Sequence, residues 1–213
     1  MIKINFIIFS SIDWEVHYQL HHQLTNSLVN DGHRVLFVQN IGVRPININD
    51  TKRIIKRIKD WIFSTRGFKV VNNNVSLLIP IIFPFPFNKL FIIINKFLIK
   101  RSIINWNIKS NFNNPIIITF LPNPVIVNLF ENEFKNNFKI YYCANHMSKG
   151  STNAQPLEIW EKKLFKITNI IFTISNLTYE RSKKLNNETY NFPPAVDFEK
   201  IIKIEKKEYF KNN

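Results

Sequence analysis

Short apolar runs alternate with longer segments of helical periodicity along the chain. This alternation is typical of repeated β-α units, which build a mainly parallel sheet. The apolar runs predict strands at residues 3–9, 34–39, 75–79, 115–120, 138–142 and 169–174, and more weakly at 189–192. The segments between them predict helices at residues 17–31, 51–64, 89–109, 124–134, 156–166 and 178–186. We therefore expect an α/β fold: a Rossmann-like, doubly wound, mainly parallel sheet of about six or seven strands with helices on both faces.

Ligands of such sheets bind beyond the carboxyl ends of the strands. Polar loops follow the predicted strands at residues 10–14, 39–42, 121–123, 143–146, 175–176 and 193–197, whereas loops of the opposite edge, such as 72–74, show no such concentration of chemistry. The candidate substrate ligands in these polar loops are Ser11, Asp13, Asn123, Asn145 and Asn176. Their hydroxyl, carboxylate and amide groups are suited to hydrogen-bond a polar substrate. An alternative role for Asp13 is to cap the first helix.

Three histidines have positions that bear on catalysis. His146 lies in a polar loop, and because imidazole titrates near neutral pH we predict it to be the catalytic base; the alternative is a solvated loop histidine. His21 and His22 are adjacent on a predicted helix and point in different directions, so at most one of them reaches the cleft. We expect His21 to pack or to cap the helix.

Only four glycines occur in the 213 residues, so neither a G-x-G-x-x-G motif nor a P-loop is present. Dinucleotide and NTP sites built on those motifs are therefore disfavoured. The single cysteine, Cys143, excludes an internal disulfide framework, and the five histidines show no zinc-ligand spacing. We expect a reducing, cytoplasmic compartment and no metal.

The N-terminus is predicted to be a strand, because its apolar run has no small-residue cleavage site of the kind that ends a signal peptide. The longest uncharged apolar stretch, residues 75–87, is interrupted by Pro80, Pro84 and Pro86. It is shorter than the roughly 20 residues that cross a bilayer. We therefore expect no membrane-spanning helix.

Positive charge is concentrated in one part of the chain. The net charge is +14, and residues 51–109 contain twelve Lys and Arg but one acidic residue, Asp60. Residues 51–64 predict a basic amphipathic helix, with apolar side chains at helical spacing and cations mostly on the other side. Residues 79–104 add further cations and five phenylalanines, namely Phe83, Phe85, Phe87, Phe91 and Phe97.

Such a helix is suited to the headgroup region of an anionic membrane. The predicted membrane contacts are Lys52, Arg53, Lys56, Arg57 and Trp61. In the alternative interpretation, the apolar side packs on the sheet and the charges are solvated. Nucleic acid is not the expected partner, because the aromatic residues lie within isoleucine-rich runs and not among exposed basic residues.

Several segments together resemble one family. IIFSSIDW at residues 7–14, QLHHQL at 19–24 and DGHRVLFV at 31–38 are similar to the N-terminal domain of GT-B glycosyltransferases. The similarity is greatest to bacterial enzymes of surface polysaccharide and teichuronic acid assembly. It continues through YYC at 141–143, WEKKL at 160–164, IFTISN at 171–176, YER at 179–181 and FPPAVDF at 192–198. The resemblance therefore extends from about residue 4 to residue 201.

The resemblance implies that residues 1–201 are the acceptor-side domain and residues 202–213 the start of a linker, with the C-terminal donor-binding domain absent from this chain. It implies transfer of a sugar from a nucleotide-sugar to a lipid-linked or glycan acceptor, on the cytoplasmic inner face of the plasma membrane, once that domain is supplied. Family members resembling this chain work without a metal, and the five aspartates form no D-x-D motif. Asp197 matches an aspartate at the interdomain hinge, with a structural or a ligand-binding role.

Two positions depart from the family pattern. Ala144, Asn145 and His146 stand where paired aspartates are frequent, and Pro194 and Ala195 replace an Asn-Gly pair. Two other functions therefore stay open. One is a non-catalytic, membrane-associated subunit that completes a transferase in trans. The other is a nucleotide-binding Rossmann domain that does not act on sugars.

Overall fold

The computed structural model of the protein describes residues 2–15, 18–42, 67–83, 85–144 and 154–192, together with Ile55, Lys59 and Ser64. These residues contain eight strands: β1 (Asn5–Phe9), β2 (Arg34–Val38), β3 (Phe68–Asn72), β4 (Val75–Leu78), β5 (Ile116–Thr119), β6 (Lys139–Cys143), β7 (Ile170–Thr173) and β8 (Thr189–Asn191). They also contain five helices: α1 (Leu20–Asn30), α2 (Lys89–Ser110), α3 (Pro124–Asn132), α4 (Ala154–Ile167) and α5 (Asn176–Lys183).

All eight strands belong to one sheet, in the order β3-β4-β2-β1-β5-β6-β7-β8. Every neighbouring pair is parallel except β3 and β4. From β1 the chain builds outward in one direction through β2 to β4, then crosses to β5 and builds in the other direction. The strand order thus reverses between β1 and β5, and a crevice at the carboxyl ends of two such strands is the usual ligand site of an open α/β sheet.

The central strands are apolar on both faces because helices cover both faces of the sheet. Ile7 and Phe9 of β1 face a core completed by α2, α3 and α4, whereas Phe6 and Ile8 face the other side, where α1 packs. This arrangement confirms the predicted Rossmann-like, doubly wound α/β fold.

Local signals set the ends of several helices. Gly32 follows α1 with a φ of 83°, a left-handed conformation that glycine adopts without steric cost, and the chain enters β2 two residues later. α3 begins with Pro124 in its first turn, and the Asn123 side chain accepts a hydrogen bond from the Val125 amide. Proline is favoured at this position because the first-turn amide has no partner within the helix.

The structure corrects two details of the prediction. The described sheet has eight strands, because β3, unassigned above, pairs antiparallel with β4 through the 72–74 turn. α1 begins at Leu20 with Gln19 as its N-cap, not at residue 17, so Asp13 lies well before the helix and does not cap it. Most of the predicted 51–64 helix lies outside the described residues.

None of the helices in the described ranges is both long enough and apolar enough to cross a membrane.

Candidate functional site

The loops after β1 and β5 meet at the carboxyl edge of the sheet. The Ser10 amide donates to the Val38 carbonyl oxygen at 3.0 Å, and the Phe120 amide donates to the Phe9 carbonyl oxygen at 3.0 Å. These bonds continue the strand pairing by one residue on each side of β1. The chain therefore leaves the sheet at neighbouring positions after β1 and β5, at Ser11 and at Leu121.

His21, in the first turn of α1, is buried against both of these loops. Its Nδ1 lies 3.1 Å from Ser10 Oγ, and its Nε2 lies 3.1 Å from Ser11 Oγ. The Ile12 amide also donates to Ser10 Oγ at 3.1 Å, which fixes the loop after β1. The imidazole ring centroid is 3.8 Å from that of Phe120, the first residue after β5. One histidine thus connects α1, the β1 loop and the β5 loop.

The His21 side chain is neutral at pH 7. Burial, together with the nearby charge of His22, lowers the pKa of His21 to about 4. A neutral imidazole has one N–H donor and one acceptor nitrogen, so one of the two serines donates to the ring and the other accepts from it. Ser11 is partly exposed, whereas Ser10 is buried. In either tautomer, Ser11 Oγ keeps hydrogen-bonding capacity for a ligand hydroxyl.

His22 points in a different direction and holds the rest of the loop. Its Nδ1 accepts from the Gln19 amide at 3.1 Å, and its Nε2 donates to the Trp14 carbonyl oxygen at 3.0 Å. The Trp14 ring centroid lies 4.9 Å from those of His22 and Phe37. The two rings therefore point in different directions, as their adjacent helical positions predict, and His21 packs on Phe120 while bonding two serines.

Asn123 links the loop after β2 to the start of α3. Its Oδ1 accepts from the Val125 amide at 2.7 Å, and its Nδ2 donates to the carbonyl oxygen of Gly42 in the loop after β2. The side chain is buried, with 1% of its surface exposed. Both ends of the amide thus connect the β2 loop to the start of α3, and its predicted contact with substrate stays a prediction.

The other predicted site residues are farther apart or lie outside the described residues. Asp13 is partly exposed in the loop after β1. Asn176 starts α5 beyond β7, and its Oδ1 accepts from Asn191 Nδ2 at 2.9 Å. The residues that fall outside the described ranges are His146, Asn145, Asp197, Lys52, Arg53, Lys56, Arg57 and Trp61.

An aromatic row beside His21 was missed by the sequence analysis. Phe120 stacks on Tyr142 at 5.1 Å between ring centroids, and Tyr142 lies 5.9 Å from Phe172. Tyr142 pairs in register with Phe172, and Phe172 with Tyr190, so these rings share one face of β6, β7 and β8. The signal in the sequence is one aromatic residue at the same register position of each strand. Tyr142 and Phe172 are half-buried, which makes the row an apolar wall next to the polar cluster.

The opposite face of β6 carries a buried ionic cluster. Tyr141 Oη donates to Glu161 Oε1 at 3.0 Å, and Arg181 Nη2 donates to Glu161 Oε2 at 2.6 Å. The thiol of Cys143 lies 3.7 Å from Glu161 Oε1. Burial, and then the Glu161 carboxylate, raises the pKa of the Cys143 thiol to about 12, so it is not a nucleophile at neutral pH. This cluster connects β6, α4 and α5 and serves the fold.

A shallow cavity of about 240 Å³ lies at the amino edge of the sheet, where no concentration of chemistry was expected. It is lined by the 72–74 turn, Arg34 and Trp106, among others. The Arg34 guanidinium donates to the carbonyl oxygen of Ser110 at 2.7 Å and lies over the Phe112 ring. Ligands of such sheets bind at the carboxyl ends of the strands, and this cavity lies at the opposite edge, so it is not the candidate site.

Comparison with known proteins supports the fold assignment. No protein-family model matches the chain, and no curated protein sequence matches it. The structure resembles sucrose-phosphate synthase from Thermosynechococcus elongatus, with a TM-score of 0.58 and 12% sequence identity. The match covers 92% of this chain and 49% of that one, so this chain spans about half the length of that enzyme.

A second structure of sucrose-phosphate synthase from the same organism gives a TM-score of 0.53 at 13% identity, with 97% of this chain and 98% of that chain covered. At these identities the likeness establishes the fold. The chain has a Rossmann-like, glycosyltransferase-like fold that matches about half of the sucrose-phosphate synthase chain.

Proposed function

We propose that this chain is the acceptor-side half of a GT-B glycosyltransferase of surface polysaccharide synthesis. In the reaction, the acceptor hydroxyl oxygen forms a bond to the anomeric carbon of a nucleotide-sugar, the bond from that carbon to the diphosphate breaks, and a base takes the hydroxyl proton. The observation that carries the proposal is the Ser10, His21 and Ser11 cluster, which lies at the strand-order reversal of a glycosyltransferase-like fold.

In this proposal Ser11 hydrogen-bonds a hydroxyl of the acceptor, and His21 orients the Ser11 side chain. A side chain with a pKa of about 4 is a weak base at neutral pH, so His21 is a positioning residue. His146 is the proposed base. The remaining proposed ligands are Asp13, Asn123, Asn145, Asn176 and Asp197.

The aromatic row supports an acceptor with an apolar face. Ligand sites commonly combine an apolar, aromatic lining with a few polar groups that fix orientation. Tyr142, which is half-buried, provides such a lining, and the buried Phe120 stacks on it and contacts the His21 ring. One face of a sugar ring carries mainly C–H groups, which can pack on this aromatic wall. The sugar hydroxyls can hydrogen-bond to Ser11.

The donor side is proposed to be supplied by a second domain, which grips the nucleotide-sugar without a metal, in the same protein or in trans. The chain spans about half of the sucrose-phosphate synthase it resembles. The proposed location is the cytoplasmic, inner face of the plasma membrane, where a lipid-linked acceptor is presented and where Lys52, Arg53, Lys56, Arg57 and Trp61 contact anionic headgroups.

Saturation-transfer NMR with short alkyl glycosides tests the acceptor site. The wild-type chain should transfer magnetisation to sugar-ring protons, and Ser11→Ala should reduce this transfer. Ser110→Ala is the matched control, because Ser110 lies at the amino edge of the sheet beside the cavity described above.

The same experiment with a nucleoside diphosphate separates the alternatives. Weak transfer to the nucleotide is expected from an acceptor-side half. Strong transfer to the nucleotide without any to the glycosides would contradict the proposal and favour a nucleotide-binding Rossmann domain.

A further inference from the structure

Six exposed apolar side chains lie before and along the first half of α2, and we call them the α2 patch. They are Ile81, Phe83, Phe85, Leu90, Ile93 and Phe97, each between 43% and 61% exposed. Phe91 joins the first part of the patch, since its ring centroid lies 5.3 Å from that of Phe83 and 4.9 Å from that of Phe85. A contiguous apolar surface of this kind commonly marks an interaction site.

A buried asparagine holds part of the patch in place. Asn95 of α2 is 2% exposed, its Oδ1 accepts from the Phe83 amide at 2.7 Å, and its Nδ2 donates to the Phe83 carbonyl oxygen at 2.9 Å. This pair of bonds fixes the backbone of the segment against the helix. The exposure of the Phe83 side chain is therefore imposed by the fold.

The segment that carries the α2 patch has a positive net charge. Residues 81–110 contain five cations, Lys89, Lys96, Lys100, Arg101 and Lys109, and no acidic residue. Lys96 and Lys100 face Glu133, the residue that follows α3, at 4.0 and 2.6 Å, whereas Lys89 and Arg101 are exposed. Two copies of this surface would bring like charges together, which disfavours a second copy of the chain as the occupant. An anionic lipid surface complements both the apolar side chains and the cations.

The α2 patch begins at the same edge of the sheet as the candidate site. β4 ends at Leu78 at the carboxyl edge, and α2 then runs back to the amino edge, where β5 begins at Ile116. The residues between Leu78 and the first turns of α2 are therefore at the carboxyl edge. A lipid surface that binds there would also present headgroups at the edge that holds Ser11 and His21.

We propose that the α2 patch is a membrane-docking surface that inserts its phenylalanines and leucine into the interface of an anionic bilayer, with Lys89 and Arg101 at the headgroups. This inference deepens the membrane association proposed above. It fails separately from the sugar-binding proposal, because vesicle binding and glycoside binding report on different residues.

Vesicle cosedimentation with phosphatidylglycerol and with phosphatidylcholine tests the surface. The double variant Phe83→Ser, Phe97→Ser should bind phosphatidylglycerol vesicles about tenfold more weakly than wild type. The matched control is Ile159→Ser, Leu177→Ser, because these side chains are 58% and 54% exposed on α4 and α5. Lys89→Glu, Arg101→Glu should weaken only the binding to phosphatidylglycerol, and Lys135→Glu, Lys184→Glu should leave it within about twofold.

A fluorescence experiment tests membrane docking by the α2 patch even if a serine variant fails to fold. Phe97 and Ile159 are 56% and 58% exposed, and the variants Phe97→Cys and Ile159→Cys are each labelled with a polarity-sensitive dye. The native Cys143 is buried. A blue shift on adding phosphatidylglycerol vesicles is expected at position 97 only. No shift there, or equal shifts at both positions, would overturn the inference. So would a dimer in sedimentation velocity that Phe83→Ser, Phe97→Ser dissociates.

Discussion

The Nε2 atom of His21 lies 3.1 Å from the Oγ atom of Ser11, at the point where the order of the parallel strands reverses. The histidine belongs to α1 and the serine to the loop after β1, so a side-chain hydrogen bond joins the helix to that loop. The ring is neutral, buried, and also bonded to Ser10. An acceptor hydroxyl would therefore meet a serine whose position is fixed before binding.

Ser11→Ala should weaken glycoside binding by about five- to tenfold while changing the free energy of unfolding by less than about 1 kcal/mol, because the variant removes one hydrogen-bonding hydroxyl. Titration calorimetry and urea unfolding measure the two quantities. An unchanged affinity would show that Ser11 does not contact the glycoside. A stability loss well above that value would assign Ser11 to the fold.

The stability of the protein should fall as the pH drops from about 6.5 towards 4. Burial holds the pKa of His21 at about 4 in the folded chain, below its ordinary value of 6.5, so the unfolded chain binds the proton first. His21 causes no loss of stability above about pH 6.5, and at pH 4.5 the loss amounts to about 2.5 kcal/mol. Urea unfolding of wild type and His21→Gln at pH 7 and pH 4.5 measures it. The variant should show a smaller difference between the two pH values, and equal differences would contradict the assignment.

Asn123→Ala should destabilise the protein by about 1–3 kcal/mol, because it removes the cap of α3 and leaves the buried Gly42 link unmade. Asn132→Ala, at the exposed end of the same helix, should change the unfolding free energy by less than about 0.5 kcal/mol. Thermal or urea unfolding of the two variants side by side provides the measurement. Equal losses of unfolding free energy in the two variants would show that the Asn123 link between the β2 and β5 loops does not contribute to stability.

Glu161→Ala should cost about 3–5 kcal/mol, because it leaves the partly buried Arg181 guanidinium without its carboxylate partner. Glu158→Ala is the control: Glu158 forms an exposed pair with Lys162 on the same helix, and such pairs contribute well under about 1 kcal/mol. Similar losses in the two variants would mean that the buried cluster is not what holds α5 against α4.

The sequence was sufficient to predict most of the sheet. Ile7 to Phe9 and Leu36 to Val38 were predictable as strands, because both faces of a central parallel strand are buried and the run is continuously apolar. β3 was missed because it is an edge strand, in which Lys69, Val70 and Val71 are exposed. The asparagine turn at 72–74 between two short β-type segments was the available signal.

The site depends on contacts between distant segments, which periodicity does not reveal. Helical spacing predicted that His21 and His22 diverge, but the ring that bonds two serines was not predictable, since its position depends on how α1 packs on β1 and β5. Asp13 was a reasonable cap by residue type, yet Gln19 starts the helix because Trp14 and His22 hold the intervening loop.

Backbone amide chemical-shift mapping during titration with an alkyl glycoside tests the central claim most directly. The account predicts that the largest changes fall on Ser11, Ile12, His21, Phe120 and Leu121, at the carboxyl edge beside the strand-order reversal. Largest changes at the opposite edge, on residues 72–74 and Ser110, or no changes at saturating glycoside, would contradict it.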